Sequence, residues 1–301
     1  YQWGENMGYC GEVSLITAGL NLGGQYLSQY DSRIAACGSK QQSKCEMLIG
    51  VNDQTAATAM HLKSVEWGTL KERSTQDFLL WVKQNTLKGY AVIIGVFMNY
   101  YEFYNVAVPS AGDADYDHIV PVLGIRSNHP LNDTTTYYDD DEIIFSDNGL
   151  YGLASNAPYV FSYTFKEFQK SRENANTKNG DIYSLPNTAS NYGLFITGIA
   201  DKNSETLPVR IDTNLNYEKP EIVDGSNTRP NSMGLTLTAT VSGLTINSNY
   251  NCYRYTSLES IPESNFNSNA SKASQIYSFK ATATNYSWNI DIQSNEIVAL
   301  R

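Results

Sequence analysis

Asp117-His118-Ile119-Val120-Pro121-Val122-Leu123-Gly124-Ile125 is a short apolar run entered through a histidine. Its length and β-branched residues predict a buried strand over 119–125. An imidazole at the head of such a strand needs a polar partner, because an unsatisfied polar group is costly to bury. Upstream, Ala91 to Phe97 has the same character; downstream, Glu142 to Ser146 and Gly193 to Ile199 predict two more strands. Between the last two lies an amphipathic segment with Phe161, Phe165 and Phe168. Ahead of the strands the pattern is helical. Residues 10–22 are apolar on most sides (Val13, Leu15, Ile16, Ala18, Leu20, Leu22), as in a buried helix, and Gly23-Gly24 ends it. A second helix is expected over 53–64. A third is expected from Ser74, whose spacing to Asp77 is that of a capping box ahead of Phe78, Leu79, Trp81 and Val82. Helices first and strands second make an α+β arrangement.

The chain has 301 residues, enough for two domains. Residues 201–209, around Pro208, lack apolar periodicity and are expected to link them. Beyond, Leu235 to Val241 alternates as a strand, and further strands are expected over 275–282 and 286–293. Leu244 and Tyr250 have the spacing of a tyrosine corner, in which a Tyr hydroxyl bonds back to the backbone at a strand crossing. Residues 205–301 therefore read as a small all-β sandwich of immunoglobulin or fibronectin type III kind, and residues 1–204 as the α+β domain.

The formal charge of −10 disfavours phosphate backbones, so no nucleic-acid partner is expected. No apolar run is long enough to span a membrane. Only 17% of residues are charged, while 22 are Tyr, and sequons stand at Asn132, Asn269 and Asn285. This composition points to a secreted, extracellular glycoprotein, and the polar start at Tyr1 reads as a processed N-terminus. Cys37 and Cys45 flank a short polar loop and are expected to form a local disulfide. Cys252 has no second cysteine within 205–301, so it is expected unpaired or bonded outside the sequence.

Three residues carry candidate chemistry. Cys10 stands where the first helix begins, between Gly8-Tyr9 and Gly11-Glu12, and helix N-termini favour a thiolate. The alternative reading is a buried structural cysteine. His118 supplies a base. Ile143-Ile144-Phe145-Ser146 ends on Asp147 and Asn148, either of which suits the imidazole N–H. His61 and His129 read as ordinary surface. Asp113, Asp115 and Asp117 have the odd-position spacing of a calcium loop but lack its glycine and late bidentate Glu. Asp139 to Glu142 reads as a solvated acidic face. No zinc spacing occurs, so neither metal nor cofactor is expected.

Taken in order, Cys10, His118 and Asp147 resemble the papain-like cysteine peptidases. The Tyr9 to Leu15 stretch looks closest to their C39-like and phytochelatin-synthase-like branches. The resemblance covers roughly residues 1–200. It implies a central helix packed on an antiparallel sheet and, in those branches, Asp147 as third member. It also implies a peptidase or acyltransferase acting on peptide or protein amide bonds. The Cys-Gly-Ser-Cys-Trp signature of papain is absent. His118 and Asp147 are 29 residues apart, around an insertion over 132–142. Gly4 stands where the family's oxyanion Gln is usual, which leaves Gln2 and Asn6 as candidates. The alternative is a catalytically impaired relative serving as an extracellular structural, adhesive or filament-forming subunit. In either case the sandwich would bind substrate, glycan or a second copy.

Overall fold

The computed structural model describes residues 9–38, 45–68, 73–107, 117–147, 160–187, 191–214 and 232–301. The chain begins with α1 (Cys10–Leu22), β1 (Gln25–Tyr26), α2 (Gln29–Cys37), α3 (Asp53–Ala59), β2 (Leu62–Glu66), α4 (Thr75–Leu87), β3 (Ala91–Met98) and α5 (Tyr100–Tyr104). Next come β4 (His118–Arg126), β5 (Glu142–Ser146), β6 (Val160–Thr164), α6 (Phe165–Phe168), β7 (Gln169–Lys170), α7 (Arg172–Ala175), β8 (Tyr183–Pro186) and β9 (Gly193–Ile199). The remaining strands are β10 (Val209–Thr213), β11 (Gly234–Ser242), β12 (Asn249–Tyr255), β13 (Gln275–Lys280), β14 (Asn285–Gln293) and β15 (Val298–Leu300). Helices and antiparallel sheets together make the fold α+β.

Two compact units form. One contains Leu48–Asp53 and Val65–Phe195; the other joins Ile196–Arg301 to Gln54–Ser64 and to the helical segment before Met47. The division therefore differs from a linear cut at 204/205. The largest sheet among the described residues runs β2-β9-β3-β4-β5-β6, with β8 on β3 and β7 on β8, and its strands β3 to β8 lie wholly in the first unit. Its core brings Phe78, Leu79 and Val82 of α4 against Ile94, Val96, Val120, Ile143 and Phe145. The Ser74 hydroxyl accepts from Asp77 N–H and the Asp77 carboxylate accepts from Ser74 N–H, completing the expected capping box. The segment with Phe161, Phe165 and Phe168 is strand β6 followed by the single helical turn α6, and all three rings are buried.

The second unit is a sandwich of two sheets, β10-β11-β14 and β1-β15-β12-β13. Strand β11 turns Leu235, Leu237, Ala239 and Val241 inward. On its outer face Thr236, Thr238 and Thr240 bond to Asp291, Asn289 and Ser287 of β14. The Tyr250 hydroxyl accepts from Thr245 N–H at 2.8 Å, which closes the tyrosine corner. One strand of this sandwich comes from the start of the chain: Gln25 and Tyr26 pair with Ala299 and Val298. Helix α1, expected on the sheet that carries His118, makes its packing contacts with β10, β1 and α2, whereas the helix packed on β3 and β4 is α4. Gly24 permits the close approach. Its φ is +53°, and a Cβ there would lie 2.9 Å from the Val209 Cβ and 3.1 Å from the Leu300 carbonyl oxygen.

One further expectation changes. The helix over 53–64 stops at Ala59, because His61 takes φ 55° and the chain turns into β2. Residues 201–209 are held by side-chain hydrogen bonds. Asp201 accepts from the backbone N–H of Asn203 and Thr206 and from the Thr206 hydroxyl, and Glu205 accepts from Phe266 N–H.

Candidate active site

His118 is the first residue of β4, opposite Val96 of β3, and Asp147 directly follows β5. Antiparallel pairing of β4 with β5 returns the chain so that His118 Nε2 lies 3.1 Å from Asp147 Oδ1. Both side chains are buried, at 8% and 0% exposed, so the pair is shielded from competing water. The Tyr183 ring stacks on the imidazole at 5.6 Å between centroids and 21° between planes, fixing its tilt. The neighbouring Asp117 is drawn elsewhere: it accepts from Arg172 Nη2 at 2.9 Å, from Tyr100 at 3.3 Å and from Met98 N–H at 3.2 Å. Arg172 thus holds the adjacent carboxylate off the imidazole, leaving Asp147 as its carboxylate partner.

Cys10 is the first residue of α1, half-buried and outside any disulfide. What flanks it is fixed. Glu12, fully buried, accepts from Arg33 Nε at 2.8 Å and from Met47 N–H at 3.0 Å. The Arg33 guanidinium also lies 3.6 Å from the Tyr9 ring centroid. Gly11 lets the Met47 backbone come close, since a Cβ there would stand 2.3 Å from its carbonyl oxygen. Two bonds to Glu12 and a cation over Tyr9 therefore bracket the thiol from both sides in sequence.

The oxyanion candidates Gln2 and Asn6 lie outside the described residues, as do Asn148, Asp113 and Asp115. Cys37 and Cys45 form the expected disulfide, with Cα atoms 6.2 Å apart. Cys252 is a buried thiol on β12 whose burial pushes it up to about 12. Of the sequon residues, Asn132 and Asn285 are exposed, while the Asn269 amide donates to Asn265 and Ser264 carbonyls.

The acidic run is solvated at Asp139 and Asp140, which are exposed, but not at Asp141. Asp139 pairs with Lys166, Asp140 with His129 and Glu142 with Arg126. Asp141 is buried against Lys83 at 2.7 Å, both side chains 0% exposed, and also accepts from Ser127. Among the described residues no three His, Cys, Asp or Glu side chains converge as metal ligands. None of their helices is long and apolar enough to cross a membrane. His61, read as surface, is half-buried with Nε2 3.0 Å from the Leu258 carbonyl. The buried pairs Glu12–Arg33 and Lys83–Asp141 were missed by pattern reading. Glu12 had one signal, a lone charge inside the apolar helix α1, whereas Lys83 shares α4 with Asp77 and several polar residues.

No protein-family model, no curated protein and no solved structure matches the chain.

Proposed function

We propose that the chain is a secreted, papain-like cysteine hydrolase or acyltransferase, with Cys10 as nucleophile, His118 as base and Asp147 as the group that orients it. The observation that carries this reading is the buried hydrogen bond between His118 and Asp147. With Nε2 turned to the carboxylate, the imidazole proton is held on that nitrogen and Nδ1 is the nitrogen that exchanges a proton with a thiol. The Cys10 sulfur attacks an amide carbonyl, His118 protonates the leaving amine, and the thioester is then taken by water or by a second amine. The Cys10 backbone N–H, with an amide from Gln2 or Asn6, receives the oxyanion. The Cys37–Cys45 disulfide supports an oxidising compartment, and exposed Asn132 and Asn285 suit glycosylation there.

The test is a mixture of unstructured peptides incubated with the protein and analysed by mass spectrometry. Wild-type protein should release cleaved or transpeptidated products and Cys10→Ala none. Equal product from both would remove Cys10 chemistry. No product from either would favour the structural-subunit alternative.

A further inference from the structure

The sandwich unit holds a cavity of about 260 Å³ that the thiol chemistry does not use. Both sheets contribute to it: Val209, Val241 and Trp288 from one, Tyr250, Cys252 and Phe279 from the other. Arg301, only 6% exposed, also lines it. The wall mixes aromatic and aliphatic side chains with polar groups, and two of its N–H donors are buried with no hydrogen-bond partner: Trp288 Nε1 and Arg301 Nε. Native interiors rarely leave such donors bare.

The guanidinium is the more telling of the two. Arg301 Nη1 donates to the carbonyls of Gly23 and Leu300 at 2.8 Å, and Nη2 to Gln25 Oε1 at 3.1 Å. Every acceptor is neutral, and among the described residues no carboxylate forms an ion pair with it. A buried cation is ordinarily paired, because desolvating an unpaired charge is costly. Burial lowers Arg301 to about 10 even though Tyr255, Cys252 and the Asp201 carboxylate act to raise it, so it stays charged at neutral pH. The thiol in the same wall is protonated there and contributes no negative charge. Glu205 also lines the cavity but is exposed, its oxygens held by Phe266 N–H and the Asn203 amide.

We propose that this cavity is a binding site for a small monocarboxylate with an aromatic or short acyl body, its carboxylate at Arg301 and its body among Tyr250, Phe279 and Trp288. At about 30 Å³ per water, the space of about 260 Å³ takes roughly nine waters, so the ligand has on the order of ten non-hydrogen atoms.

The probe is 3-phenylpropionate, against its neutral isostere 3-phenylpropionamide, titrated into the wild-type protein by calorimetry and followed by tryptophan fluorescence. The acid should bind saturably at a single site. The amide should bind at least about tenfold more weakly, since a charge-assisted hydrogen bond is roughly twice as strong as a neutral one. Leu207→Trp, at a half-buried position of the cavity wall, should block binding without touching Arg301, which also anchors Gly23 and Gln25. Trp288→Phe should remove the fluorescence response. No saturable binding of the acid, equal binding of acid and amide, or binding unaltered in Leu207→Trp would each overturn the site.

Discussion

Lys83 and Asp141 show how much a single side chain contributes to this fold. Each is completely buried, so each needs the other. Lys83→Met alone should destabilise the protein by about 3–5 kcal/mol, because it strands a buried carboxylate. Lys83→Met combined with Asp141→Leu should recover most of that loss. Urea unfolding of the single and double variants reads the difference; equal loss in both would mean the pair is not coupled. His61 gives a pH dependence of known sign. Burial lowers its pKa below the usual value, with Arg301 acting in the same direction. A base with a depressed folded-state pKa contributes stability above its ordinary pKa of about 6.5 and loses it as pH falls through the folded value. The stability of wild type relative to His61→Asn, which tolerates the positive φ, should therefore shrink from pH 7.5 to 5. A constant difference would mean that His61 titrates as though exposed.

At the scale of elements, Gly24 decides whether the start of the chain joins the sandwich. Gly24→Ala places a methyl against Val209 and Leu300 at positive φ, and should cost about 1–3 kcal/mol by overpacking and strain. A thermal melt within a degree of wild type would show that the contact relaxes freely. The sequence makes most elements legible, for local reasons. Apolar runs set β3, β4 and β5; the Ser74–Asp77 box sets the start of α4; the spacing of Leu244 and Tyr250 sets the corner. What it hides is set by tertiary partners. Gln25-Tyr26 is too short to read as a strand and becomes one only against Val298 and Ala299. His61 ends α3 because its ring reaches the Leu258 carbonyl, almost 200 residues away. At the site, the strand ending on Asp147 and Asn148 offered His118 two partners, and the choice of Asp147 came from the family resemblance. The displacement of Asp117 by Arg172 was not legible, since nothing local to Asp117 announces that cation.

For the whole molecule, the grouping of α1 and β1 with the C-terminal strands has a direct consequence. Residues 205–301 expressed alone lack β1, α1 and the Gly23 and Gln25 acceptors of Arg301. They should show weak β-type circular dichroism and a broad melt, and the full chain a cooperative one. A fragment that melts as sharply as the full chain would support the linear boundary near 204.

The central claim is that Cys10 is a nucleophile served by His118 and Asp147. The measurement that tests it most directly is the rate of iodoacetamide labelling at Cys10 in native protein at neutral pH, read by peptide mass spectrometry. Cys10 should label fastest of all thiols, with Cys252 protected by burial. His118→Ala should slow Cys10 at least about tenfold, the factor that follows from losing about 1.4 kcal/mol of imidazolium–thiolate attraction. Asp147→Asn should slow it less, because the ring keeps its Tyr183 stacking and loses only part of its orientation. A Cys10 labelling rate in His118→Ala equal to that of wild type would contradict the account.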